Sequence, residues 1–177
     1  MLPLTVKEGE YWDPVKEEFS YTKPYDLTLE HSLVSISKWE AKWHISFFAT
    51  KLSGAMLISY IKCMTLNKNV PDEVYMRLTD KDIRKILEYI HDPMTASSVT
   101  DLVKHNTRTQ KQVTSELVYY WMAKLNLPVE FEKWHLNRLI MLIRIAFAEE
   151  NPQKMNQRET AAYYNSVIER NRAKMHK

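Results

Sequence analysis

The sequence predicts a mainly α protein: a compact bundle of about five to seven helices with a short N-terminal β-hairpin or extended arm. Only two of the 177 residues are glycine, so tight turns that need positive φ are scarce. Hydrophobic residues make up 45% of the chain, which is enough for a core. From Ser32 onward, apolar residues recur every three or four positions, the spacing of helices with one buried face.

The first thirty residues differ from the rest. They contain the short β-favouring pieces LTVK, EYWD and EFSYT and the alternating DLTLEH, which predict a hairpin or arm over residues 1–30. Helices are then predicted from Ser32 to about Ala49, from near Ser53, after Pro71, and from the N-cap Thr79 to Asp92. Three more are predicted over residues 109–126, 128–149 and 156–174, with residues 97–108 as a loop.

This pattern divides the chain into an N-terminal β arm (1–30), a helical core domain (31–150) and a basic C-terminal helix (151–177). Residues 1–30 carry three lysines against seven acids, a balance of −4. Residues 154–177 carry six bases against two acids, a balance of +4. Such a chain can pair its own ends, self-associate head to tail, or bind a charged partner.

Several kinds of chemistry are disfavoured. The histidines form no HExxH, and two isolated glycines cannot build a phosphate-binding loop. The sole cysteine, Cys63, lies among apolar residues and is interpreted as structural, in a reducing compartment. No apolar run approaches the ~18 residues of a membrane span, and no signal peptide is evident. We therefore expect a cytosolic protein that is not an enzyme, with no cofactor, no metal and no membrane partner.

The side chains that stand out are Trp134, His135 and Arg138. The spacing predicts that the histidine and arginine share a helix face beside the core, where both need hydrogen-bond partners. We interpret the three as structural anchors, with partner binding as the alternative. Candidate partner-binding residues are the exposed side of Trp39 and Trp43 and a basic group further along the chain. That group comprises Arg158, Arg170, Arg172 and Lys174.

Six segments, in order along residues 29–155, resemble a family of tailed-bacteriophage proteins encoded in tail-gene clusters and labelled tail assembly chaperones. The segments are EHSLVSISKWEAKWH, YIKCMTLNKNVPDEVYMRLT, YIHDPMTA, ELVYYWMAKLNLP, KWHLNRLIMLIR and PQKM. Residues 97–108 and the long basic end depart from that pattern.

The resemblance implies a virion morphogenesis protein that acts in the host cytoplasm through protein-protein interaction. Its implied partners are the tape measure protein, whose apolar helices it would shield, and the tail tube protein, whose subunits it would help recruit. Two alternatives stay open. One is a structural virion component at a tail or neck interface. The other is a nucleic-acid-binding helical protein. The pI of 8.8 and the net negative charge of residues 1–30 disfavour this alternative.

Overall fold

The computed structural model describes residues 1–13, 17–97 and 112–150. Its strands are β1 (Leu2–Val6), β2 (Gly9–Asp13), β3 (Glu18–Thr22) and β4 (Tyr25–Leu29). Its helices are α1 (Leu33–Trp43), α2 (Gly54–Met64), α3 (Asp72–Met76), α4 (Asp80–His91), α5 (Ser115–Lys124) and α6 (Leu136–Glu150), with a 3₁₀ helix at Val129–Lys133. The mainly α class is confirmed. The helix predicted at 156–174 and most of the predicted 97–108 loop lie outside the described residues.

The four strands form two nested antiparallel pairs, because β1 pairs with β4 and β2 pairs with β3. Alternation along β1 and β4 turns Leu4, Val6, Leu27 and Leu29 inward, where all four are buried in the main core. Of the two forms expected for residues 1–30, the β-hairpin is present as the β2–β3 pair, whereas the extended arm is not. The outer β1–β4 pair packs into the helical core instead of standing apart from it.

The two edges of the β1–β4 pair differ. On the β4 side, Thr28 accepts from Leu66 N–H at 2.9 Å and donates its own N–H to Asn67 Oδ1 at 2.7 Å. The Thr28 backbone groups thus point away from β1, so the opposite residue, Pro3, is in a non-hydrogen-bonded pair. Pro3 consequently turns its nitrogen, which has no hydrogen, toward the other edge.

Helix starts agree with the sequence prediction. The α2, α3 and α4 helices begin directly after Ser53, Pro71 and Thr79. Thr79 forms a reciprocal capping box with Asp82, whose carboxylate accepts from Thr79 N–H at 3.0 Å. The α4 start is thus fixed by side chains within one turn of the helix, whereas Ser53 and Pro71 form no side-chain cap hydrogen bond.

The predicted extension of α1 to Ala49 is wrong. The helix ends at Trp43, and His44 adopts a left-handed conformation with φ 55°. The Glu40 side chain, one turn earlier, accepts from the backbone N–H of Phe47 at 2.8 Å and so holds the chain in its non-helical path.

The predicted single helix over 128–149 is also wrong, because it is two elements. The 3₁₀ helix ends at Lys133, Trp134 is extended, and α6 starts at Leu136. The break lets His135 form an antiparallel bridge with Ser32, and Leu136 N–H donates to the His31 carbonyl at 2.7 Å.

The core lies where β1 and β4 meet α1, α2, α4, α5 and α6. Trp39 and Tyr60 are its largest fully buried side chains. Phe47 joins them, with ring centroids 5.5 Å from Trp39 and 4.4 Å from Tyr60. Among the described helices, none is long and apolar enough to cross a membrane.

Candidate functional site

A polar cluster built on His31 and His135 lies inside the core. The two imidazole rings are 5.0 Å apart edge to face, and Tyr89 contacts the His135 ring at 4.9 Å. Both histidines are buried. They meet there because the residue before α1 and the residue before α6 are joined by the bridge between Ser32 and His135.

His135 is held by one hydrogen bond. Its Nε2 lies 3.0 Å from the Tyr89 carbonyl, which can only accept, so Nε2 carries the hydrogen. The other nitrogen, Nδ1, is buried without a partner among the described residues. Burial lowers the pKa of His135, since a second proton would sit on that unpaired nitrogen.

His31 is bonded more completely. Its Nδ1 lies 2.5 Å from the Tyr60 hydroxyl, which is also 3.2 Å from Ser35 Oγ. Burial lowers the pKa of His31 to about 3, with the neighbouring His135 adding in the same direction. Burial also raises the pKa of the Tyr60 hydroxyl. At neutral pH the pair is therefore an uncharged hydrogen-bonded unit.

Glu30 closes the cluster toward the surface. Its carboxylate accepts from the Tyr89 hydroxyl at 2.7 Å and lies 2.9 Å from the α-amino group of Met1. Burial and this hydrogen bond raise the pKa of Tyr89. The cluster is thus held together by hydrogen bonds within the fold, with His135 Nδ1 left unpaired, which is the arrangement of a structural network.

The described residues offer little for nucleophilic or metal chemistry. Burial raises the pKa of the Cys63 thiol, which reduces the thiolate that such a reaction needs. No group of three or more histidine, cysteine or acidic residues is placed to hold a metal ion within the described ranges. A cleft of about 840 Å³ between β1 and α4 is open and lined by side chains such as Lys81, Arg84 and Glu88.

The structure separates the predicted trio. His135 precedes α6 and is buried, whereas Arg138 lies on α6 and is exposed, so the expectation that they share a helix face is corrected. Trp134 and Arg138 are in contact, because the guanidinium carbon lies 4.5 Å from the indole centroid. The other partner of the indole is Phe131, stacked at 3.8 Å. Arg138 forms no hydrogen bond or ion pair with the described residues.

The predicted partner-binding face on α1 also needs correction. Trp39 is fully buried and donates its indole N–H to the Met56 carbonyl at 3.1 Å, so it is not available to a partner. Trp43 is half-buried and donates to Ser59 Oγ at 3.1 Å. The basic candidates Arg158, Arg170, Arg172 and Lys174 lie outside the described residues.

Glu40 is the polar residue that sequence reasoning missed. It is buried, and its second carboxylate oxygen accepts from Ser115 N–H at 2.7 Å, at the start of α5. A signal was present: Glu40 follows the apolar Ile36 by four residues and so continues a buried stripe. A carboxylate on such a stripe predicts a buried acceptor, although not the identity of its donors.

With this geometry in place, the chain was compared with protein-family models, curated proteins and solved structures. None of the three comparisons found a match.

Proposed function

We propose that this protein is a non-enzymatic assembly chaperone of tailed-phage morphogenesis. In this proposal it acts in the host cytoplasm, binds the tape measure protein and helps recruit tail tube subunits. The observation that supports it is the composition of α6, which is apolar around most of its circumference. Leu136, Leu139 and Ile143 are buried in the core. Met141, Leu142 and Ile145, on the opposite face, are half-buried and lie off that core.

An apolar helix face that its own core does not cover fits a helical partner, because helix-in-groove recognition depends on apolar residues at this spacing. The tape measure protein is a long helical chain in the family that the sequence resembles, and its apolar surfaces aggregate unless covered. The buried histidine cluster is consistent with this, since its hydrogen bonds are made within the fold. A binding role therefore agrees with both the packing and the sequence resemblance.

Co-expression tests this proposal. The tape measure protein from the same tail-gene cluster, produced with and without the chaperone, should become soluble only in its presence. The two should then co-purify through an affinity tag on the tape measure protein. Tape measure protein that stays insoluble, with no complex formed, would contradict the proposal.

The alternative is a structural component at a tail or neck interface, for which the oppositely charged ends of the chain offer contacts. Mass spectrometry of purified virions separates the two, because a chaperone is absent from finished particles. A nucleic-acid-binding role instead requires DNA affinity that falls steeply with added salt.

A further inference from the structure

The side of α6 away from the core carries an apolar strip with a charge at each end. Arg138, Met141, Leu142, Ile145 and Glu149 recur at three or four residues and therefore share one face. Arg138 and Glu149 are exposed, and the three apolar residues between them are half-buried. We call this set the outer face of α6.

Arg138 is the most informative member of the outer face. Its guanidinium is held over Trp134, and Trp134 is held in turn by stacking on Phe131. Stacking fixes the plane of the guanidinium while leaving its N–H donors free, and they have no acceptor among the described residues. An immobilised, unneutralised cation beside apolar side chains suits a partner carboxylate, because little side-chain entropy is lost when the pair forms.

We propose that the outer face of α6 is the docking site for an apolar helix of the partner that carries a carboxylate at Arg138. This inference rests on the proposed function and specifies the chemistry of its partner. Eleven residues separate Arg138 from Glu149 along the sequence, or roughly 16 Å at 1.5 Å per residue. The partner helix therefore presents an acid and a base about three turns apart, with aliphatic residues between them.

Charge reversal at one position tests the docking site. Arg138→Glu should weaken binding of the tape measure protein at least tenfold in a titration, because it places a carboxylate against the partner's carboxylate. Arg144→Glu is the matched control, since Arg144 is exposed on the flank of the same helix. It should change affinity less than twofold. Arg138→Lys keeps the charge but loses the planar stack, so an intermediate loss is expected.

A second measurement separates loss of binding from loss of folding. Both glutamate variants should match the wild type in circular dichroism and thermal unfolding, since both arginines are exposed. In the wild-type complex, Met141 should become protected from oxidation, whereas Met76, which is 83% exposed on α3, should not.

The outcomes are distinct. If the wild type binds and Arg138→Glu binds equally well, this inference is overturned and the chaperone proposal stands. If the wild type does not bind the tape measure protein, both are overturned. Met141 protection that is already complete before the partner is added would assign the face to the chain's own C-terminal segment. Loss of a homo-oligomer in Arg138→Glu, seen by light scattering, would assign it to a second copy.

Discussion

The Glu40 carboxylate connects three segments of the chain. It projects from α1, accepts from the Phe47 N–H in the following loop, and accepts from the Ser115 N–H that opens α5. Ser115 is seventy-five residues away in sequence, so this contact depends on the complete fold. The sequence could place Glu40 on a buried stripe but could not identify these two donors.

Glu40→Gln should destabilise the protein by about 1.5–3 kcal/mol, because one acceptor oxygen is replaced by an NH₂ group that faces a backbone N–H. Urea unfolding measures the change. Glu88→Gln, on the exposed side of α4, is the matched control and should stay within about 0.5 kcal/mol of the wild type. Equal stability of the two variants would show that the buried carboxylate is dispensable.

His31 gives a second prediction, on pH. Its folded pKa of about 3 is far below the ordinary value of 6.5, so between these values the unfolded chain binds a proton that the folded chain does not. The contribution of neutral His31 to the free energy of unfolding should therefore be at its maximum above pH 6.5. It should fall as the pH drops below that value. At pH 5 this histidine accounts for a loss of about 2 kcal/mol.

Urea unfolding at pH 7.5, 6 and 5 measures this slope, to which His135 adds in the same direction. His31→Gln should flatten the slope, and His44→Asn, at an exposed position that does not contribute to the His31 shift, should retain it. A wild-type stability that is constant between pH 7.5 and 5 would contradict the assignment of neutral, buried histidines.

At the scale of elements, features set by neighbouring residues could be predicted from the sequence, whereas features set by long-range contacts could not. The starts of α2, α3 and α4 follow from neighbouring residues and were predicted. The break between the 3₁₀ helix and α6 depends on the bridge from His135 to Ser32, about one hundred residues away. Helical periodicity continues through that break, so the pattern alone predicted one helix.

The packing of β1 in the core also depends on long-range contacts, and the sequence alone predicted a hairpin or an arm there. Leu4→Ala should cost about 2–5 kcal/mol, the range for a buried leucine whose removal leaves a cavity. Leu66→Ala is the control, because Leu66 is 54% exposed and its truncation leaves no cavity. Similar, small effects at both positions in denaturant titrations would restore the interpretation of a detached arm.

At the scale of the whole molecule, the packing of β1 and β4 against the helices predicts a single cooperative unfolding transition for the described residues. Pulsed hydrogen exchange, read by mass spectrometry on peptides from β1 and β4, reports the strands, and far-ultraviolet circular dichroism reports the helices. The two urea curves should coincide. Separate midpoints would indicate that the strands and the helices unfold as independent units.

Exposed strand edges allow sheets to polymerise, so a protein with an open edge can template its own aggregation. The β4 edge is occupied by the backbone of Leu66 and the amide of Asn67. At the β1 edge, Pro3 offers no donor to an incoming strand. Replacing Pro3 with a residue that has an N–H would therefore restore a donor at this edge, and the molecule would become more prone to edge-to-edge association at high concentration.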